Sequence, residues 1–283
     1  MRTRSSTVVI SALVAATAAV IGAPIIPSAG ASETASITDR LYIEATTPDG
    51  AGPFPIVVLV PGGRSDSTLF TDKHVPEQLA ALGYLTVVFD PAGRGSSSGT
   101  EDDGGAAHQA DLADIVGYAK TLTDADPTRI ALATNSYGVT MAAGALVDYP
   151  SMDVDALIDW EGPADRNDTG GCDGVHLGGH LYGVYDCSDE AAWSEREAIT
   201  FIGLITQDYV RLQSTTDHVQ PDTDSAAAMV NAALAGPAAS VRLNRTAITR
   251  PLTTPIAPRL LLPDRLDRQL PQLIDQALTT LGF

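Results

Sequence analysis

The stretch "RIALATNSYGVT", Arg129 to Thr140, decides how the chain is read. A run of small and branched apolar residues stops at Asn135-Ser136-Tyr137-Gly138, and small residues suited to a helix follow. The pattern predicts a buried strand, a tight turn and a helix in direct succession. A serine on such a turn either caps the helix or points its hydroxyl into the crevice beyond the carboxyl ends of a parallel sheet. In the second case the helix N-terminus favours negative charge there. The choice depends on partners elsewhere in the chain.

Working outward, strands and helices alternate. "RLYIEAT" (40–46) reads as an early strand. "PIVVLV" (55–60) and "YLTVVFD" (84–90) are continuous apolar runs, as expected of strands covered on both faces. "DALIDW" (155–160), "YVRLQST" (209–215) and "SVRLN" (240–244) continue the series. Helical spacing is carried by "VPEQLAALG" (75–83), "AAHQADLADIVGYAKTL" (106–122), Tyr137–Val147, "DSAAAMVNAALAG" (224–236) and "LDRQLPQLIDQALTTLG" (266–282). Alternation of this kind implies an α/β fold with a mostly parallel, doubly wound sheet and right-handed crossovers. One segment breaks the pattern. Asp165 to Trp193, inside an expected insertion over 163–197, is Gly- and Asp-rich without a period and reads as a lid-like excursion over the sheet.

The first 31 residues do not belong to this pattern. Arg2 and Arg4 precede an apolar run, Val8 to Ile21, and Ala29-Gly30-Ala31 fits a small-x-small cleavage site. A secretory signal peptide cut after Ala31 is expected, the run being short for a membrane anchor. What remains, 32–283, is roughly 250 residues, the size of one α/β domain. The formal charge is −18, and removing the two arginines takes it to −20; lysines number only two, Lys73 and Lys120. Such a surface excludes nucleic acid and anionic membranes as partners. In an exported chain the two cysteines, Cys172 and Cys187, are expected to pair as a disulfide.

The five residues Thr134-Asn135-Ser136-Tyr137-Gly138 resemble the G-x-S-x-G nucleophile elbow of the α/β hydrolases, with Thr for the first Gly. "VLVPGGRSD" stands where that superfamily places its oxyanion-hole loop. "FDPAGRGSSSGT" (89–100) resembles the D-x-R-G-x-G-x-S-x-G signature of its prolyl-oligopeptidase, X-Pro-peptidase and dienelactone-hydrolase branches. "RLQSTTDHVQPD" resembles its acid loop. The resemblance covers nearly all of the chain after the leader. It implies Ser136 as nucleophile, backbone N–H groups of Tyr137 and of Gly63 or Arg64 as oxyanion donors, Asp217 as acid, and no cofactor.

The superfamily's histidine follows the last strand, and here none does. The five histidines are His74, His108, His176, His180 and His218. Four readings compete. His218, on the acid loop, is the base, oriented by Asp217 or by Asp159 of the preceding strand. Alternatively, His176 or His180 is carried in by the lid. A third reading makes Cys172, Asp173, His176 and His180 a metal site, against which the Gly pair and the expected disulfide both count. In the fourth, the chain is an inactive, binding-only hydrolase fold. The expectation carried forward is a secreted serine hydrolase using Ser136 and His218 on a small ester, less readily an amide, because the chain shows no extra domain to filter peptides. Trp160 and Trp193 are candidates to line its cleft, and the oligomeric state is open.

Overall fold

A computed structural model describes residues 37–263 and 269–283. The expected leader, residues 1–31, lies outside them. The described chain opens with a one-turn helix α1 (Ile37–Arg40) and then builds a sheet. Its strands are β1 (Ile43–Thr46), β2 (Phe54–Val60), β3 (Leu85–Phe89), β4 (Ala125–Asn135), β5 (Ala156–Trp160), β6 (Asp208–Leu212), β7 (Ser240–Leu243) and β8 (Thr246–Ala247). They lie in the order β1-β3-β2-β4-β5-β6-β7-β8. β2 to β7 pair in parallel, and β1 and β8 close the two edges antiparallel.

The continuous apolar runs explain the layering. Along β2 successive side chains alternate faces: Ile56, Val58 and Val60 join one core cluster, and Val57 and Leu59 join the other. The first cluster is covered by α4 (Ala106–Ala119), α5 (Gly138–Asp148), α8 (Ala198–Ile202) and α9 (Asp224–Ala235). The second is covered by α3 (Val75–Ala81), just after the short α2 (Thr68–Thr71), and by α10 (Leu270–Leu281). α10 shows why it docks: Leu270, Leu273, Ile274, Ala277 and Leu278 form one buried stripe at helical spacing. No helix among the described residues is long and apolar enough to cross a membrane.

The chain winds β2 to β3 in one direction, then crosses back over β2 to β4 and continues to β8. The switch point therefore lies between the carboxyl ends of β2 and β4. This is where an open α/β sheet leaves a crevice.

The excursion between β5 and β6 has more structure than its sequence shows. It holds two one-turn helices, α6 (Arg166–Gly170) and α7 (Glu190–Ser194). Both are started by aspartate caps. Asp165 accepts from the N–H groups of Asn167 and Asp168, and Asp189 accepts from that of Ala192. Helices this short cannot display a period, so only the caps announce them. Cys172 and Cys187 form the expected disulfide.

Candidate active site

Ser136 sits on the turn from β4 into α5 with φ of +50°, a left-handed conformation that a residue with a side chain adopts only when its surroundings impose it. Two bonds hold it there. Its N–H donates to the carbonyl of Trp160 at 2.8 Å, and its own carbonyl accepts from Val139 N–H at 3.2 Å. Two glycines make room. A Cβ on Gly138 would lie 2.7 Å from the carbonyl oxygen of Val60, and one on Gly62 would lie 2.2 Å from that of Asn135. The first motif position is less cramped. Thr134 fits there, buried, with its hydroxyl donating to Ile158 O at 3.4 Å.

Among the described residues, the backbone N–H groups of Gly63, Arg64 and Tyr137 donate to no protein acceptor. Gly63 and Ser136 line one cavity of about 270 Å³. The Arg64 side chain turns away from this role and forks onto Asp103, at 3.0 and 3.3 Å. The loop after β3 braces the turn after β2. Asp90 accepts from the N–H of Ser67 at 2.9 Å and of Ser96 at 2.7 Å. Arg94, clamped on Glu101, donates to Ser65 O. The D-x-R-G-like signature thus braces the loop after β2 that carries Gly62, Gly63 and Arg64.

The other half of the cavity comes from the segments that follow β5 and β6. His218 lines it, and its Nδ1 lies 3.0 Å from the carboxylate of Glu161. Glu161 follows β5 directly, has φ of +48° and is 2% exposed. Its second oxygen accepts from the N–H and the hydroxyl of Ser214, at 3.0 and 2.6 Å. Burial pushes its pKa up, but the hydrogen bonds from His218 and Ser214 outweigh burial, and the carboxyl stays below its ordinary range.

Neither expected carboxylate holds this place. Asp159 is buried without solvent contact and bonds to Arg211 at 2.8 Å and to the Tyr209 hydroxyl at 2.6 Å. It points into a closed ion-pair cluster because Arg211 beside it on β6 needs a buried counter-ion. Asp217 lies 3.4 Å from His218 Nδ1, farther than Glu161. One of its oxygens accepts from the N–H groups of Val219 and Gln220, both at 2.9 Å. It shapes the loop that presents His218. Glu161 is the residue the sequence reading missed. Its signal was available: an acid one residue past the carboxyl end of a central strand, the edge at which α/β sheets bind ligands.

Ser136 Oγ makes no hydrogen bond among the described residues, and His218 Nε2 likewise has none. His180 lines the same cavity from the excursion, its ring 4.2 Å from that of Tyr137. Its Nε2 is buried without a partner, and burial, the largest influence, lowers its pKa to about 4. His176 pairs with Asp173 at 2.8 Å and does not line the cavity. Cys172 is in the disulfide, so the Cys172, Asp173, His176 and His180 set lacks its thiolate. Trp193, with no exposure, packs with Tyr137 and Leu181, fastening the excursion to the elbow. Trp160 is core, 6.2 Å from the His218 ring.

Residues 38–233 match the family model of the X-Pro dipeptidyl-peptidases (S15). The chain belongs to that family. The S15 match spans the serine turn, Glu161 and His218. The α/β-hydrolase fold is shared with Est1E of Butyrivibrio proteoclasticus, solved with ferulic acid (TM-score 0.55, 18% identity, 85% of this chain and 93% of that one). A Bacteroides ovatus chain assigned as a dipeptidyl aminopeptidase IV aligns at TM-score 0.53 and 16% identity over 69% of this chain. The acylaminoacyl peptidase of Pyrococcus horikoshii aligns at 0.55 and 17% over 68%. The S15-family chain spans only 28% and 32% of those two peptidases. No curated protein sequence matches it. Family and fold together place it among the α/β-hydrolase-fold proteins.

Proposed function

We propose that the protein is an exported serine hydrolase that cleaves an ester in preference to an amide, with Ser136 as nucleophile, His218 as base and Glu161 as the carboxylate that orients the base. One observation carries the assignment: His218, its Nδ1 held by a buried carboxylate, lines the same cavity as Ser136. With Nδ1 engaged, Nε2 is the nitrogen free to take a proton. Ser136 Oγ would attack the carbonyl carbon and pass its proton to His218. The N–H groups of Tyr137 and of Gly63 or Arg64 would receive the oxyanion. Collapse of the tetrahedral intermediate returns the proton to the leaving alcohol or amine, and water then releases the acid by the same steps in reverse.

Base and acid would each stand one strand nearer the nucleophile than the order the sequence resemblance implies. The two shifts compensate, which keeps an oriented imidazole on the wall of the serine's cavity. The ester preference draws on the likeness to acetyl xylan esterase 1 of Thermoanaerobacterium (TM-score 0.52, 15% identity, 68% of this chain and 69% of that one). Export draws on the Arg2-to-Ala31 pattern and on the disulfide.

The test is active-site labelling with a fluorophosphonate, read by intact mass. Wild type should take up one equivalent, and Ser136→Ala and His218→Ala should take up none. Labelling that survives in His218→Ala would remove His218 as base. An unlabelled wild type would favour a binding protein. Parallel assays on a short acyl nitrophenyl ester and an X-Pro anilide decide between ester and amide.

A further inference from the structure

Large apolar side chains exposed on this molecule concentrate in one stretch of the chain. Of eight among the described residues, four (Val175, Leu177, Tyr182 and Val184) lie between Cys172 and Cys187, and a fifth, Val219, follows His218. Single exposed apolar residues are ordinary, whereas a gathered set marks a contact surface. This set adjoins the cavity along the chain. The same disulfide-closed loop supplies Gly178, Gly179 and His180 to the cavity wall, and Val219 lines it too. The loop is anchored from beneath. Leu181 is fully buried with its N–H on Thr169 O at 3.0 Å, and Gly179 packs so closely on Thr169 that a Cβ would lie 2.1 Å from its carbonyl oxygen. The exposed residues therefore sit on a fixed lip.

Two further facts say what the lip receives. The cavity, at about 270 Å³, lies at the small end of small-molecule sites, roughly 300–1,000 Å³, and it opens to solvent, which leaves room for the remoter parts of a larger substrate on its rim. Residues 173–186 include no lysine or arginine, and the chain carries −18, so neither the lip nor the wider field attracts an anionic group. We propose that the Cys172–Cys187 loop docks an extended apolar group of the substrate, so that the preferred substrates are neutral esters or amides bearing one. The proposal rests on the serine-hydrolase reading.

The test uses two alkyl fluorophosphonates, ethyl and decyl, on wild type and on a Val175→Asp/Leu177→Asp double variant. Each reaction forms the Ser136 Oγ–P bond, breaks P–F and releases fluoride, with the serine proton passing to the base. Wild type should react at least about tenfold faster with decyl than with ethyl, the effect of burying part of the chain. The double variant should bring the ratio close to one. The ratio cancels any general damage to the site, and a Val175→Ser/Leu177→Ser pair should lower it in the same direction. Equal rates in wild type, or a ratio the variants leave intact, overturns the docking proposal and leaves the serine assignment standing. No reaction of wild type with either probe removes the serine assignment itself, and the docking proposal with it. A wild-type dimer that the double variant dissociates would assign the lip to a second copy instead, and would overturn the proposal.

Discussion

Asp159 and Glu161 stand two residues apart at the carboxyl end of β5, one without solvent contact and the other 2% exposed. They meet basic groups of different kinds. Asp159 lies within the strand and faces Arg211, its neighbour across the ladder on β6. Gly162 N–H and the Tyr209 hydroxyl complete its bonding, so it belongs to a closed cluster in the sheet. Glu161 lies one residue past the strand, where a left-handed φ turns it out of the ladder direction and toward the loop after β6. It meets an imidazole on the wall of the cavity. The guanidinium cannot lose its charge, so it suits a static pair. An imidazole nitrogen can accept a proton and hand it on, so it suits a working one. One strand thus carries a structural carboxylate and a candidate catalytic one, and the residue spacing does not separate them.

Mutating the two acids in parallel tests that division. Glu161→Gln should lower kcat by about 10⁴-fold, as expected when a triad carboxylate loses its charge, and should lower the melting temperature less than Asp159→Asn does. Asp159→Asn should do the reverse. An unpaired guanidinium left in the core costs about 3–5 kcal/mol, or a melting point lower by about 10 °C, while kcat of the surviving folded protein stays close to wild type. If Asp159→Asn cut kcat as deeply as Glu161→Gln, the division would fail.

The comparison extends to the two cavity imidazoles. His218 has a carboxylate and His180 has none. Burial lowers the His180 pKa to about 4, so between about pH 6.5 and 4 the unfolded chain binds a proton there that the native chain refuses. Stability must fall as pH drops through that window. Urea titrations should show His180→Phe losing about 2 kcal/mol less than wild type between pH 7 and pH 5. An equal loss would mean that His180 gains a partner when protonated and is closer to the chemistry than its present contacts show.

Much of the architecture was legible from residue order. The expected strands 55–60, 84–90 and 155–160 match β2, β3 and β5 to within one residue at either end. Continuous apolar runs are hard to place anywhere but in a sheet covered on both sides. β4 begins earlier than expected, at Ala125, because its polar first half pairs only with Phe54 and Pro55 before a register shift. The two-residue β8 has no pattern to detect.

The local parts of the candidate site could also be read: the serine turn, the Gly62-Gly63-Arg64 loop, the cysteine pair and the presence of His218 on the loop after β6. Each depends on neighbours along the chain, because steric fit in a turn and the closure of a short loop are local matters. The choice among Asp159, Glu161 and Asp217 as partner to that histidine could not. It depends on which oxygen lies within about 3 Å of Nδ1, and that distance is set by the stagger of β5 against β6, the turn at Glu161 and the aspartate-capped loop that Asp217 builds. Electrostatic partnership falls off over ångströms in space, and only packing brings residues 161 and 218 together.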